Sequence, residues 1–194
     1  MNNSKIIEIR WHGRGGQGAK TAALLFGDAA LSLGKYIQAF PEYGPERMGA
    51  PVASFNRLSD QPITLHCSIT NPSIVLVLDP TLMATVDVTA GLPDDGLLIV
   101  NSSSTAGEIR KKLNLKGRKV FTVDASKISR ETIGREIPNT PMLGALVKVS
   151  DILKFEDMID DLGAKLKKKF AHKPEIIEGN LKAVKRAFEE VRGE

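Results

Sequence analysis

The stretch Lys5-Ile6-Ile7-Glu8-Ile9-Arg10-Trp11-His12-Gly13-Arg14-Gly15-Gly16-Gln17-Gly18 decides the fold. Ile6, Ile7 and Ile9 are β-branched and favour a short strand over residues 5–11 that stops at the glycines. Residues 19–33 are rich in Ala and Leu, a helix by propensity, and Gly34 supplies its C-cap. Strand, G-x-G-x-x-G, helix is the order a phosphate-binding turn needs. The first glycine permits the tight turn, the second lets the backbone approach a pyrophosphate, and the third lets helix pack on strand. Gly13, Gly15 and Gly18 meet the spacing, with Gly16 extra. Arg14 can add a charge-assisted bond and Gln17 a neutral one. The candidate ligand set is therefore Gly13, Arg14, Gly15, Gly16, Gln17 and Gly18. The alternative is that the glycines only allow strand and helix to lie close.

A dinucleotide enzyme requires an acid about 20 residues further on, at the end of the second strand, to hold a ribose. The second expected strand, residues 36–40, ends Gln38-Ala39-Phe40, and the nearest acid, Glu42, follows Pro41. This disfavours a nicotinamide dehydrogenase. A breaker-rich loop follows, with Pro41, Gly44, Pro45, Gly49 and Pro51. Residues 52–58 and 63–69 both alternate in polarity around the turn Ser59-Asp60-Gln61-Pro62, the pattern of a β-hairpin.

The middle third changes character. Ile74-Val75-Leu76-Val77-Leu78-Asp79, Leu97-Leu98-Ile99-Val100-Asn101 and Val120-Phe121-Thr122-Val123-Asp124 are continuous apolar runs ending in a polar residue. Such strands are buried on both faces and parallel, and their C-terminal ends are where open α/β sheets bind ligands. Helical stretches are expected at 80–89, 104–113 and 126–135. Asn139-Thr140-Pro141 opens a buried helix over 142–149. Apolar residues at 155, 159, 162, 166 and 170, and at 177, 181, 184, 188 and 191, give two amphipathic helices separated by Lys173-Pro174. The fold class is α/β: one domain over residues 1–194, with an open, largely parallel Rossmann-like sheet, helices on both faces, a β-hairpin and a C-terminal helical pair.

Composition narrows the function. With 194 residues, 42% hydrophobic, the chain builds an ordinary core. Its net charge of +4 is spread along the chain, which argues against nucleic acid. The basic run Lys165, Lys167, Lys168, Lys169 reads as the solvated end of a helix. No apolar run reaches membrane-span length and the N-terminus has no signal-like core, so a cytoplasmic protein is expected. The single cysteine, Cys67, excludes a disulfide framework, a zinc ribbon and a cysteine-held iron–sulfur cluster within the chain. It is expected to be a small buried hydrophobe. His12, His66 and His172 show no metal spacing. His12 is expected to be a satisfied structural histidine, and no residue is assigned a catalytic or metal-binding role.

Three segments together carry a family resemblance. They are residues 9–18, Gln38-Ala39-Phe40-Pro41-Glu42-Tyr43-Gly44-Pro45-Glu46-Arg47 with Gly49-Ala50-Pro51, and Ile137-Pro138-Asn139-Thr140-Pro141-Met142-Leu143-Gly144-Ala145. The chain resembles the gamma subunit of the 2-oxoacid:ferredoxin oxidoreductases, most nearly the pyruvate enzyme, over nearly its whole length. The resemblance implies a complex that oxidatively decarboxylates pyruvate with coenzyme A to acetyl-CoA, CO2 and reduced ferredoxin. It implies alpha, beta and delta partner subunits that carry thiamine diphosphate, Mg2+ and [4Fe-4S] clusters, with nothing tightly bound in this chain. The isolated chain is then expected to be inactive. Family gamma chains are also implicated in holding coenzyme A, which would fall on the glycine loop. The loop with Phe40, Tyr43, Glu46, Arg47 and Pro51 mixes aromatic, proline and charged side chains, as interfaces do. Two alternatives stay open: a stand-alone nucleotide- or phosphate-binding module, and a purely architectural subunit.

Overall fold

The computed structural model describes residues 6–42 and 48–194. A seven-stranded sheet runs through it in the order β2-β3-β1-β4-β5-β6-β7. The strands are β1 (Ile7–Arg14), β2 (Tyr36–Pro41), β3 (Pro51–Ser59), β4 (Ile74–Val77), β5 (Leu97–Asn101), β6 (Lys119–Val123) and β7 (Arg192–Gly193). The helices are α1 (Ala19–Ser32), α2 (Ala106–Lys112), α3 (Ala125–Ile133), α4 (Asn139–Ser150), α5 (Phe155–Lys169) and α6 (Pro174–Glu190). Strands β1, β2, β4, β5 and β6 run one way, and β3 and β7 the other. The expected parallel core is thus β1-β4-β5-β6, and β2-β3 with β1 forms an antiparallel wing.

Both faces are covered. On one, Ile9, Trp11, Leu76, Ile99 and Val123 pack against α1, α4 and the C-terminal helical pair. On the other, Val75, Val77, Leu98, Val100 and Val120 pack against α2 and residues 82–92. Helix α4 lies so close to α6 that a Cβ at Gly144 would run into the Val184 carbonyl.

The acids that end the apolar runs have a local reason. Asp79 accepts the Thr81 N–H and caps a 3-10 turn over Pro80–Ala84. Asp124 accepts the Lys127 N–H and caps α3. Thr105 and Glu108 form a reciprocal capping box at the start of α2.

Three expectations are corrected. Residues 63–69 form no strand, so the hairpin over 52–58 and 63–69 does not exist. Strand β3 already has β1 on one edge and β2 on the other, which leaves no edge for a further partner. Instead the segment lies against the wing, where Arg57 donates to the Cys67 carbonyl at 2.7 Å and Gln38 to the Leu65 carbonyl at 2.9 Å. Cys67 is consequently exposed, not buried. The helix expected over 80–89 stops at Ala84, because β-branched Thr85, Val86, Val88 and Thr89 oppose its continuation.

Candidate functional site

The glycine loop leaves the C-terminal end of β1 at the point where the chain, having built β2 and β3 on one side, crosses to β4 on the other. Open α/β sheets bind ligands at such switch points. Gly16 has φ +97° and Gly18 has φ +82°, left-handed values that favour glycine. Gly18 is doubly required, since a Cβ there would meet the Asn139 side chain at 2.5 Å. A Cβ at Gly13 would meet the Ala19 Cβ at 3.1 Å, so the glycine serves close packing of β1 on α1.

Arg14 and Gln17 do not reach outward as the sequence suggests. Arg14 Nε donates to Asp79 Oδ2 at 3.1 Å, and Gln17 Nε2 to the same oxygen at 2.8 Å. Arg14 Nη2 donates to Thr81 Oγ1 at 2.8 Å and Nη1 to the Gly49 carbonyl at 3.0 Å. Gln17 Oε1 accepts the Arg14 N–H at 2.7 Å. The loop is also tied to residues 49–50, with Gly15 N–H on the Ala50 carbonyl and Gly49 N–H on the Gly15 carbonyl. Burial pushes the Asp79 carboxyl up, but the Thr81 and Gln17 hydrogen bonds and the Arg14 charge outweigh it. Asp79 therefore sits below the ordinary carboxylate range.

Two crevices flank the loop. The smaller, about 540 Å³, opens over the ends of β4, β5 and β6 and is lined by Gln17, Asp79, Asn101, Asp124, Ser126 and Glu136. Its polar groups bond one another: Asn101 donates to the Leu78 carbonyl and Ser126 Oγ and accepts the Ser126 N–H. The larger, about 720 Å³, lies toward the wing and includes Gly16, Gly18, Lys20, Met48, Pro51 and Val52 among its lining. There the first turn of α1 presents its N–H groups, which a helix leaves without internal partners. The smaller crevice is lined by Asp79, Asp124 and Glu136, whereas the larger sets one carboxylate, Glu42, against N–H donors, Arg14 and Lys20, so the larger suits an anion better.

Of the expected interface residues, Phe40 is half-buried on β2 and stacks on Phe55 at 5.5 Å between centroids, and Pro51 is exposed at the mouth of the larger crevice. Tyr43, Glu46 and Arg47 lie outside the described residues. His12 is buried but not satisfied: its Nε2 finds no partner among the described residues. Burial, reinforced by the Arg10 charge and opposed by Asp87, lowers its pKa to about 4. Buried Arg10 is held by the Val88 and Ala90 carbonyls, and burial lowers its pKa against the pull of Asp87 and Glu42. Sequence reasoning placed Asp79 at a strand end but missed that it clamps the loop. It also missed Asn139 as the side chain that closes on Gly18.

A glycine-loop α/β fold with a crevice at its switch point is the class that these elements define. Residues 8–190 match the family described as Pyruvate ferredoxin/flavodoxin oxidoreductase, and the chain belongs to that family. Pyruvate synthase subunit PorC of Thermotoga maritima is 46% identical over 188 residues, 97% of this chain and 96% of that one. The Pyruvate/ketoisovalerate oxidoreductases common subunit gamma of Pyrococcus abyssi is 46% identical over 187 residues, 96% of this chain and 98% of that one. The crystal structure of the Thermotoga maritima subunit superposes with a TM-score of 0.84 at 44% identity, covering 97% of this chain and 98% of that chain. A 2-oxoglutarate:ferredoxin oxidoreductase from Magnetococcus marinus, solved with coenzyme A among its ligands, shares the fold at 19% identity and a TM-score of 0.75. The match spans 94% of this chain and 30% of that one. The chain is a homologue of gamma subunits of pyruvate and 2-oxoacid ferredoxin oxidoreductases.

Proposed function

We propose that the chain is the gamma-type subunit of a cytoplasmic pyruvate:ferredoxin oxidoreductase complex, which oxidatively decarboxylates pyruvate with coenzyme A and passes the electrons to ferredoxin. The near full-length match at 46% identity to a pyruvate synthase subunit carries this reading. Alpha, beta and delta partner subunits hold the thiamine diphosphate, Mg2+ and iron–sulfur clusters. The donor set of this chain supports that division, since one exposed cysteine cannot ligate a cluster. No helix among the described residues is long and apolar enough to cross a membrane.

The contribution of this chain is contact with the catalytic subunits through the segment from Phe40 to Pro51, and part of the coenzyme A site at residues 13–18. The pyrophosphate of coenzyme A would lie in the larger crevice, on the N–H groups at Gly16, Gly18 and the start of α1. The carboxylates of the smaller crevice favour that side over the other.

The test uses the assembled enzyme with pyruvate, coenzyme A and a low-potential electron acceptor. The complex turns over and the isolated chain does not. Gly16→Val raises the KM for coenzyme A about tenfold and leaves the KM for pyruvate unchanged, the signature of lost uniform binding. Turnover by the chain alone would refute the subunit assignment, and an unchanged coenzyme A KM the site assignment. The Pyrococcus abyssi relative, named as common to pyruvate and ketoisovalerate enzymes, favours a second reading in which this chain serves two complexes. Activity toward 2-oxoisovalerate in a second complex pulled down with the chain would establish it.

A further inference from the structure

We propose that Asp79 is a positioning residue for the coenzyme A site, acting through Arg14 and Gln17 to hold the glycine loop with its N–H groups facing the larger crevice. This rests on the assignment of residues 13–18 to that site. Every strong acceptor position of the carboxylate is used inside the fold. Oδ2 takes Arg14 Nε and Gln17 Nε2, at 3.1 and 2.8 Å. Oδ1 takes the Thr81 N–H and Thr81 Oγ1, at 2.9 and 2.6 Å. A carboxylate offers about four lone-pair sites, and here all four go to the clamp. Thr81 closes the circuit by accepting from Arg14 Nη2 at 2.8 Å. The clamp grips both side chains that flank the Gly15-Gly16 pair, while Gln17 Oε1 pins the Arg14 N–H from within.

Two consequences follow. The Arg14 and Gln17 side chains are already spent on Asp79, so the loop itself meets the anion through its backbone N–H groups, with Lys20 beside them. An anion is also repelled by Asp124 and Glu136 in the smaller crevice, which directs it to the N–H side of the loop. The sequence reading, with Arg14 as a direct phosphate ligand, predicts the opposite response to removing Asp79. Freed from its counter-charge, Arg14 would bind the anion better.

The experiment measures steady-state kinetics of the assembled enzyme carrying Asp79→Asn, with Asp79→Ala and Thr81→Val as companions in case the first fails to assemble. Asparagine has one acceptor oxygen and cannot pair with the guanidinium, so the clamp loses its charge and half its bonds. The expected result is a rise of about five- to twentyfold in the KM for coenzyme A, with kcat and the pyruvate KM within twofold. Thr81→Val should give a smaller rise, about twofold to threefold. Arg14→Ala combined with Asp79→Asn should raise the KM little beyond either alone, because both break one clamp. A fall in the coenzyme A KM for Asp79→Asn overturns the proposal in favour of Arg14 as a ligand. A fall in kcat with a similar rise in both KM values overturns it in favour of a general structural role. If Gly16→Val raises the coenzyme A KM and Asp79→Asn does not, the positioning role falls and the site assignment stands. If neither variant moves it, the site assignment falls and the positioning role with it.

Discussion

The two halves of the sheet are held by different forces. In the parallel half, Val75, Leu76, Val77, Leu98, Ile99 and Val100 are fully buried, and helices or loops cover both faces. In the antiparallel wing, one face buries Arg57, Arg10 and His12. Arg57 is bonded to Glu8 at 2.7 Å, to Gln38 and to the Cys67 carbonyl. The other face of the wing buries the amide of Asn56, which bonds Trp11 and the Ala23 carbonyl. Apolar area stabilises the first half, and its contribution is insensitive to pH. The wing depends on paired polar groups whose loss exposes a desolvation penalty. Strand β1 belongs to both halves, and the glycine loop leaves from its end, so the loop inherits a rigid edge and a polar one.

The largest expected effect tests the wing. Arg57→Ala should destabilise the chain by about 3–5 kcal/mol, because it strips partners from Glu8, Gln38 and the Cys67 carbonyl together. Urea unfolding measures it, and a loss below about 1 kcal/mol would make the wing as tolerant as a surface. Leu76→Ala, in the parallel half, should cost about 2–5 kcal/mol by cavity formation, with the same value at pH 5 and pH 8.

Acid separates the halves further. The unfolded chain protonates His12 near its ordinary 6.5, whereas the fold holds the proton off until about 4. Between these values the unfolded state binds more protons, so the stability from His12 is intact above pH 6.5 and falls as pH drops toward 4. The loss is roughly 3 kcal/mol across that window. Thermal melts at stepped pH should show this slope in the parent chain and a flattened one in His12→Gln. The smallest effect is expected for Glu136→Gln, whose pair with Arg130 on α3 lies in water, at under about 1 kcal/mol.

The parallel half was legible in the sequence because burial on both faces leaves no polar position inside a run, as 74–78 and 97–100 show. The strand–glycine–helix unit was legible from its glycine spacing, and the two C-terminal amphipathic helices from a period that matches their surroundings. The wing was harder. Residues 63–69 alternate like a strand, yet pairing is a property of free edges, and β3 had none to offer. Cys67 goes with them, since its expected burial depended on that strand and the side chain is exposed. Arg14 and Gln17 looked like ligand groups because a sequence shows donors and not their partners. Their partner lies more than 60 residues away, at the end of β4.

Trp11 gives the loop an optical readout. It is the chain's one tryptophan, fully buried on β1 two residues before Gly13, with its indole N–H on Asn56 at 2.8 Å and Phe26 of α1 6.4 Å away between centroids. A buried, hydrogen-bonded indole in an apolar shell emits at shorter wavelength than one in water. The colour of this chain's fluorescence therefore reports on one place, the joint of β1, β3 and α1 beneath the glycine loop. Selective excitation of the indole in the isolated chain would follow that joint. Loosening of the joint would appear as a red shift before any global unfolding is seen by circular dichroism.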